Sequence, residues 1–204
     1  MTPKRYISLD ISTNTGYAVF HDNKLIKYGV FTKKVKEYKA NIKSYKDFPK
    51  EYPDNYLVTA NTISTMCINI ILANDIDYVV IEHPEQSKQR MSQRLLEWMH
   101  LTLVQKLKKL KIPFKYILVK DWRQFVNCYI SHWPDLHEKN KQIRKIKNKT
   151  GKKIAMIEGK RVGRINQKKL SIIIANNTYS LNIKNDNIAD AINMGRAAYE
   201  LQII

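Results

Sequence analysis

Apolar residues in this chain fall into short runs and helical stripes. The short runs mark buried strands: Tyr6-Ile7-Ser8-Leu9 closing on Asp10, then Tyr17–Phe20, Lys24–Phe31, Asp77–Glu82 stopped by Pro84, and Phe114–Val119. His21-Asp22-Asn23 has the composition of a hairpin turn, so the first three strands are expected to be sequential and antiparallel. The stripes predict helices. One runs from Asp54 to Asn74 with Leu57, Ile63, Cys67, Ile70 and Ile71 on one face. The next covers Ser92–Leu110, where Leu96, Met99, Leu103, Leu107 and Leu110 form the face. Trp98, Leu101 and Val104 widen that face, which reads first as extra core and second as an interface. Asp121 is expected to cap a short helix through Phe125 to Tyr129. Lys168–Tyr179 and Asn185–Leu201 complete the set, the last carrying Ile188, Ala191, Ile192, Ala198 and Leu201. Thr32–Pro53 and Ser87–Arg90 show no period and read as loops. The order predicts one domain over residues 1–204, an α/β sheet with an antiparallel edge and parallel additions.

Charge changes the picture of the partner, not of the fold. Lys and Arg total 36 against 18 Asp and Glu, a formal net charge of +18. Such an excess points to nucleic acid or an anionic membrane. No stretch approaches the ~20 apolar residues of a bilayer span. Met1–Arg5 leads into a strand rather than an apolar signal segment. Residues 139–169 hold 13 Lys or Arg and one acid, Glu158, so this basic insertion carries most of the excess. It is expected to be flexible or only partly helical, with Lys145, Lys147, Lys149, Lys152, Lys153, Lys160, Arg161 and Arg164 as candidate DNA contacts. Cys67 and Cys128 match no zinc spacing and read as free thiols.

The acids at the strand ends carry the chemistry. A buried Asp in a strand is costly unless it is paired, hydrogen-bonded or on a cation. A cap on the Ser12–Asn14 turn is the lesser reading of Asp10, and Glu82 recurs at the end of a second buried strand. Side by side in a parallel sheet, those ends would meet where α/β sheets place ligands. Asp186 and Asp190, four apart, share one face of the last helix. Carboxylates gathered this way call for hard divalent cations, Mg²⁺ or Mn²⁺, since no His or Cys cluster accompanies them. Two such ions ~4 Å apart would clamp the attacking and leaving oxygens of a phosphodiester.

Ile7-Ser8-Leu9-Asp10-Ile11-Ser12 with Gly16, Val80-Ile81-Glu82 and Ile188-Ala189-Asp190-Ala191 together resemble the RuvC group of Holliday-junction resolvases, within the RNase H-like superfamily. Val162–Lys169 resembles the glycine-and-lysine loop before that group's late helix. The resemblance implies an RNase H-like mixed five-stranded sheet flanked by helices, with the basic insertion (residues 139–165) before the last helices. It also implies a homodimer and Mg²⁺-dependent cleavage of branched DNA. Asp10, Glu82 and Asp190 would be metal ligands, with Lys168 or Lys169 near the scissile phosphate. The group's last two acids usually stand three apart; here position 187 is Asn, so Asp186 and Asn187 both remain candidates for the fourth ligand, Asp186 favoured for its charge. Glu82-His83-Pro84-Glu85-Gln86 carries no aromatic wedge, and the insertion is longer than in compact members. These departures suit a phage or viral member acting in the cytoplasm or at the nucleoid.

Other readings share some of these features. A sugar-kinase or actin-like ATPase opens with a similar Asp–Gly strand pair but needs a second such domain and phosphate loop. An RNase H-fold nuclease acting on RNA or flaps, or a non-catalytic nucleic-acid-binding module, would have the same charge. His83 is either a proton shuttle beside Glu82 or a surface histidine without a role. Trp98 and Trp122 read as core or interface.

Overall fold

The computed structural model describes residues 5–32, 51–84, 90–150, 155–157, 160–162 and 164–204; the side chains at 147–150, 155–157 and 160–162 are outside that description. Strands β1 (Arg5–Asp10), β2 (Asn14–His21) and β3 (Lys24–Thr32) form the expected antiparallel meander. Asp22 takes the left-handed conformation in the hairpin turn, at φ 52°. β4 (Tyr78–Glu82) adds parallel to β1, and β5 (Phe114–Ile117) parallel to β4. The sheet is five-stranded, in the order β3-β2-β1-β4-β5.

Both faces of the sheet are covered, which is why its strands read as unbroken apolar runs. Ile7, Leu9, Val19, Val79 and Ile81 pack under α1 (Asp54–Ala73) and α2 (Arg90–Lys109). Tyr6, Ala18, Phe20 and Val80 pack under α3 (Val119–Phe125), α5 (Gln167–Tyr179) and α6 (Asp186–Glu200).

Ile63, Cys67 and Ile71 of α1 are buried as expected, and Ile70 packs against the same core. Leu57 is exposed, while Tyr56 is buried and donates its hydroxyl to the Met91 carbonyl at 3.1 Å. Thr59 and Ser64 join the buried face because each hydroxyl is satisfied by a carbonyl of its own helix, at 2.7 and 3.1 Å. By length and composition α1 is also apolar enough to cross a membrane, contrary to the expectation from the sequence; half of that apolar stretch is buried within the fold.

Much of α2's surplus apolar surface goes inward. Trp98 meets Tyr52 and Tyr56 edge-on at 6.1 and 6.2 Å, while Leu101 and Leu110 stay exposed. α3 begins at Val119, after an extended Leu118, so Asp121 lies in its first turn rather than at its cap. It ends before Asn127, which is left-handed at φ 56°, and does not reach Tyr129.

The basic insertion is more regular than its composition suggests. α4 (Pro134–Thr150) runs into its first half, and β6 (Ala155–Ile157) and β7 (Lys160–Val162) form a two-stranded antiparallel ribbon. Leu136, Asn140 and Ile143 give α4 its inner face, at i, i+4 and i+7; lysines on the other positions masked that stripe.

Gly16 sets how closely α6 approaches the sheet. A Cβ there would lie 2.0 Å from the Asn187 carbonyl oxygen. Gly16 pairs with Asp10 across β1 and β2, so the start of α6 rests on the strand end that carries the acid. Gly16→Ala must push α6 outward and is expected to destabilise the fold by about 1–3 kcal/mol, read from the midpoint of urea unfolding. An unchanged midpoint would show that α6 yields freely at this point.

Candidate active site

The pleat delivers the strand acids to one face. Side chains alternate along a strand, and Tyr6 and Ser8 point toward α6 while Ile7 and Leu9 point toward α1 and α2. Asp10 therefore falls on the α6 side. In β4, Val80 packs on that same side and Val79 and Ile81 on the other, so Glu82 shares Asp10's face. Leu9 pairs with Ile81, which makes Asp10 and Glu82 successive neighbours on adjacent parallel strands about 4.8 Å apart. His83 continues the opposite parity and meets Tyr116 edge-on at 5.8 Å, away from the acids.

α6 brings two more acids. Ser8 Oγ donates to the Ala191 carbonyl at 2.6 Å and locks the helix to β1. Asp190, one residue earlier, is buried and accepts a hydrogen bond from Ser171 of α5. The helix is capped by Asn185, whose side chain accepts from the Ile188 N–H at 3.1 Å. Asp186 is thereby freed from capping. Its Oδ2 takes the Lys168 amine at 2.5 Å instead. Asn187 is spent on structure, its Nδ2 donating to the Asn14 carbonyl at 2.6 Å.

The electrostatics show these acids to be one group. Burial, then the charges of Glu82, Asp190 and Asp186, hold Asp10 well above the usual carboxylate range, with Lys168 opposing them. Burial also raises Asp190, against the Ser171 hydrogen bond and the nearby charge of Arg123. Asp186 goes the other way: burial pushes it up, but the Lys168 bond and charge, together with the backbone N–H groups of Asp186 and Asn187, outweigh this and leave it below its ordinary value. The same bond raises the Lys168 amine, so both partners report a formed ion pair.

Such a site fits a hard divalent cation in its chemistry. The donors are all carboxylate oxygens, and one of them is driven toward protonation by burial and then by its neighbours, a balance that added positive charge would reverse. Their present arrangement is not a ready-made cage. Among the described residues, no three His, Cys, Asp or Glu side chains stand close enough to hold an ion as they are. Glu82 is held by Trp122, whose Nε1 donates to its Oε2 at 2.8 Å, and Asp186 by Lys168. Cation binding therefore requires those side chains to turn.

Of the residues singled out from sequence, Asp10, Glu82, Asp186, Asp190 and Lys168 come together. Lys169 is exposed, and its backbone N–H serves the Asn166 cap at 3.0 Å. Lys145 and Arg164 are exposed on the insertion; the side chains of Lys147, Lys149, Lys152, Lys153, Lys160 and Arg161 lie outside the described residues, as do Glu85 and Gln86. Sequence reasoning misses the parts played by Trp122, Arg123, Ser171 and Asn193. Arg123 sits 5.2 Å from the Trp122 ring centroid and near Asp190. Asn193 Nδ2 holds Ser171 Oγ at 2.9 Å, which in turn serves Asp190. Polar residues at buried helix positions are the signal that would have found the last two. For Trp122 it is that a buried indole N–H needs an acceptor.

No protein-family model matches the sequence, and no curated protein is similar to it in sequence. Solved structures do match. A Thermus thermophilus RuvC in complex with a Holliday junction substrate superposes with a TM-score of 0.61 at 10% identity, covering 98% of this chain and 96% of that one. A second T. thermophilus RuvC structure gives 0.58 at 11% identity, again covering 98% and 96%. At such identities the likeness is one of fold, and it extends over nearly the whole of both chains. This protein has the RNase H-like fold, a mixed five-stranded sheet flanked by helices, in the form that RuvC takes.

Proposed function

We propose that this protein is a metal-dependent endonuclease that cuts branched DNA, four-way junctions foremost. The observation that carries the reading is the convergence of Asp10, Glu82, Asp186 and Asp190 on one face at the carboxyl edge of the sheet, beside Lys168. The fold and the net charge of +18 support it.

Asp10, Glu82, Asp190 and Asp186 would hold Mg²⁺ or Mn²⁺, two ions per site. Such ions supply Lewis-acid stabilisation of the attacking and leaving oxygens of a phosphodiester. The chain's own residues do the rest. β1 and β4 are rigid, so Asp10 and Glu82 are fixed in place by the sheet. Trp122 orients the Glu82 carboxylate from below. Ser171, held by Asn193, orients Asp190. Lys168 is two-thirds exposed and already pairs with an anion, so it is placed to meet a substrate phosphate when Asp186 turns away. A symmetric pair of copies belongs to the same proposal, since a junction has two strands to cut and C2 assembly brings two sites; Leu101 on α2 is the exposed apolar residue that would sit in that contact.

The test is cleavage of a four-way junction, a flap, an RNA–DNA hybrid and a linear duplex, with Mg²⁺ and with EDTA. Mg²⁺-dependent cutting of the junction ahead of the others is expected, with sedimentation giving twice the monomer mass. Preference for the hybrid or flap would move the protein to the RNA or flap reading. Tight binding without cutting would make it a binding module.

A further inference from the structure

A second polar concavity lies outside the acid site, between α4 and the segment that leads into α5. It encloses about 390 Å³ and is lined by Ile130, His137, Asn140, Lys141, Arg144 and Arg164. Four of these, His137, Asn140, Lys141 and Arg144, stand at i, i+3, i+4 and i+7 and so share one face of α4. Asn140 is buried and spends its amide in both directions on Ile165: Nδ2 donates to the carbonyl at 2.7 Å, and Oδ1 accepts the N–H at 2.9 Å. That reciprocal pair of hydrogen bonds fixes Arg164, one residue earlier, against the cationic face of α4. The floor is therefore built, and the walls carry three permanent cations and a histidine.

Cations gathered in one concavity repel each other and focus their field outward. The carboxylate beside them is Glu138, 3.3 Å from Lys141, with both side chains more than half exposed; such a pair offsets little. Among the described residues neither Arg144 nor Arg164 has a carboxylate partner. Arginine forks match phosphate oxygens bidentately. Arg164 also lies just four residues before Lys168, across the Asn166 cap, so a strand leaving this concavity along the lead-in to α5 runs toward the acids.

We propose that this pocket is a second phosphate subsite. It takes a non-reacting backbone phosphate of the DNA strand whose neighbouring segment enters the acid site. The proposal rests on the nuclease reading and adds to it a residue-level anchor for the substrate. Arg144 and Arg164 are the principal contacts, Lys141 and His137 the secondary ones.

The test is equilibrium binding of the full chain to junction DNA in EDTA, across a range of salt, for wild type and for the Arg144→Gln/Arg164→Gln double variant. Both arginines are exposed, so the variant is expected to keep the wild-type melting temperature. The slope of log affinity against log salt should fall by about 0.9, because one phosphate is no longer neutralised. Lys108→Gln, on α2 across the sheet, should leave the slope unchanged. At subsaturating protein, single-turnover cleavage by the double variant should slow in step with its lost affinity. In wild type, DNA should shift the His137 ring resonances, and millimolar AMP should do so far more weakly. A salt-dependent wild type with an unchanged slope in the double variant overturns the subsite and leaves the nuclease reading standing. AMP binding as tight as DNA would make it a nucleotide site instead. A wild type that does not bind DNA removes both.

Discussion

Asp10→Asn is expected to stop cleavage and at the same time make the cation-free protein more stable. Asp10 is half-buried at its strand end; desolvation first, then the charges of Glu82, Asp190 and Asp186, hold it well above the usual carboxylate range. A carboxyl raised in the folded state binds its proton more tightly there than in the unfolded chain. Its contribution is fully present below the ordinary carboxylate value and is lost as pH rises through the raised one. At neutral pH the ionised Asp10 therefore works against folding, and the neutral amide relieves that repulsion while removing the ligand. For a domain of this size each kcal/mol recovered moves Tm by about 2–4 °C. The expected result is a Tm for Asp10→Asn above wild type in EDTA at pH 7.5, with the gap closing as the buffer is made acidic. Mg²⁺ should raise the wild-type Tm and leave the variant much less changed, because an ion that binds only the folded state stabilises it by mass action. A variant that melts at or below wild type in EDTA would show that the acids do not crowd one another as the structure indicates.

The second large effect separates Asp186 from Asn187. Asp186→Asn is expected to abolish cutting and retain junction binding, because it removes a charged donor whose side-chain partner is the exposed Lys168. Asn187 is in a different position. Its amide bonds the Asn14 carbonyl at 2.6 Å, and its own carbonyl lies where a Gly16 side chain would be. Asn187→Ala should therefore cost stability, about 0.5–1.5 kcal/mol for the hydrogen bond lost, and keep most of the cutting rate per folded molecule. Single-turnover cleavage beside a urea titration for each variant reads both quantities. Near wild-type cutting by Asp186→Asn, together with loss in Asn187→Ala, would hand the fourth ligand to Asn187.

The sheet and four of its acids are legible in the sequence because they obey local rules. Tyr6–Leu9 and Val79–Ile81 are apolar almost without a break, and each run closes on a single acid, Asp10 or Glu82. Only a doubly covered strand is written that way. Asp186 and Asp190 share a helix face by spacing alone. What stays hidden depends on distant partners or on charge. α4 buries Asn140 and Ile143, but its lysines make the segment look like a solvated loop. Hydropathy puts Leu57 on the inner face of α1, yet Tyr56 holds that position because Met91, 35 residues away, accepts its hydroxyl. The Trp122–Glu82 bond spans 40 residues, and no periodicity reports it.

The bond from Ser8 to Ala191 joins residues 183 apart in the chain. Asp10 leaves the ribosome well before Asp190, with most of the sheet and the other helices made between them. At about 5–20 residues per second, the first acid waits about 10–35 s for the last. Until then the sheet carries Asp10 and Glu82 without the helix that completes the site. On the proposed function, cutting power would switch on only with α6, in a chain already long enough to have folded the surface that chooses what is cut.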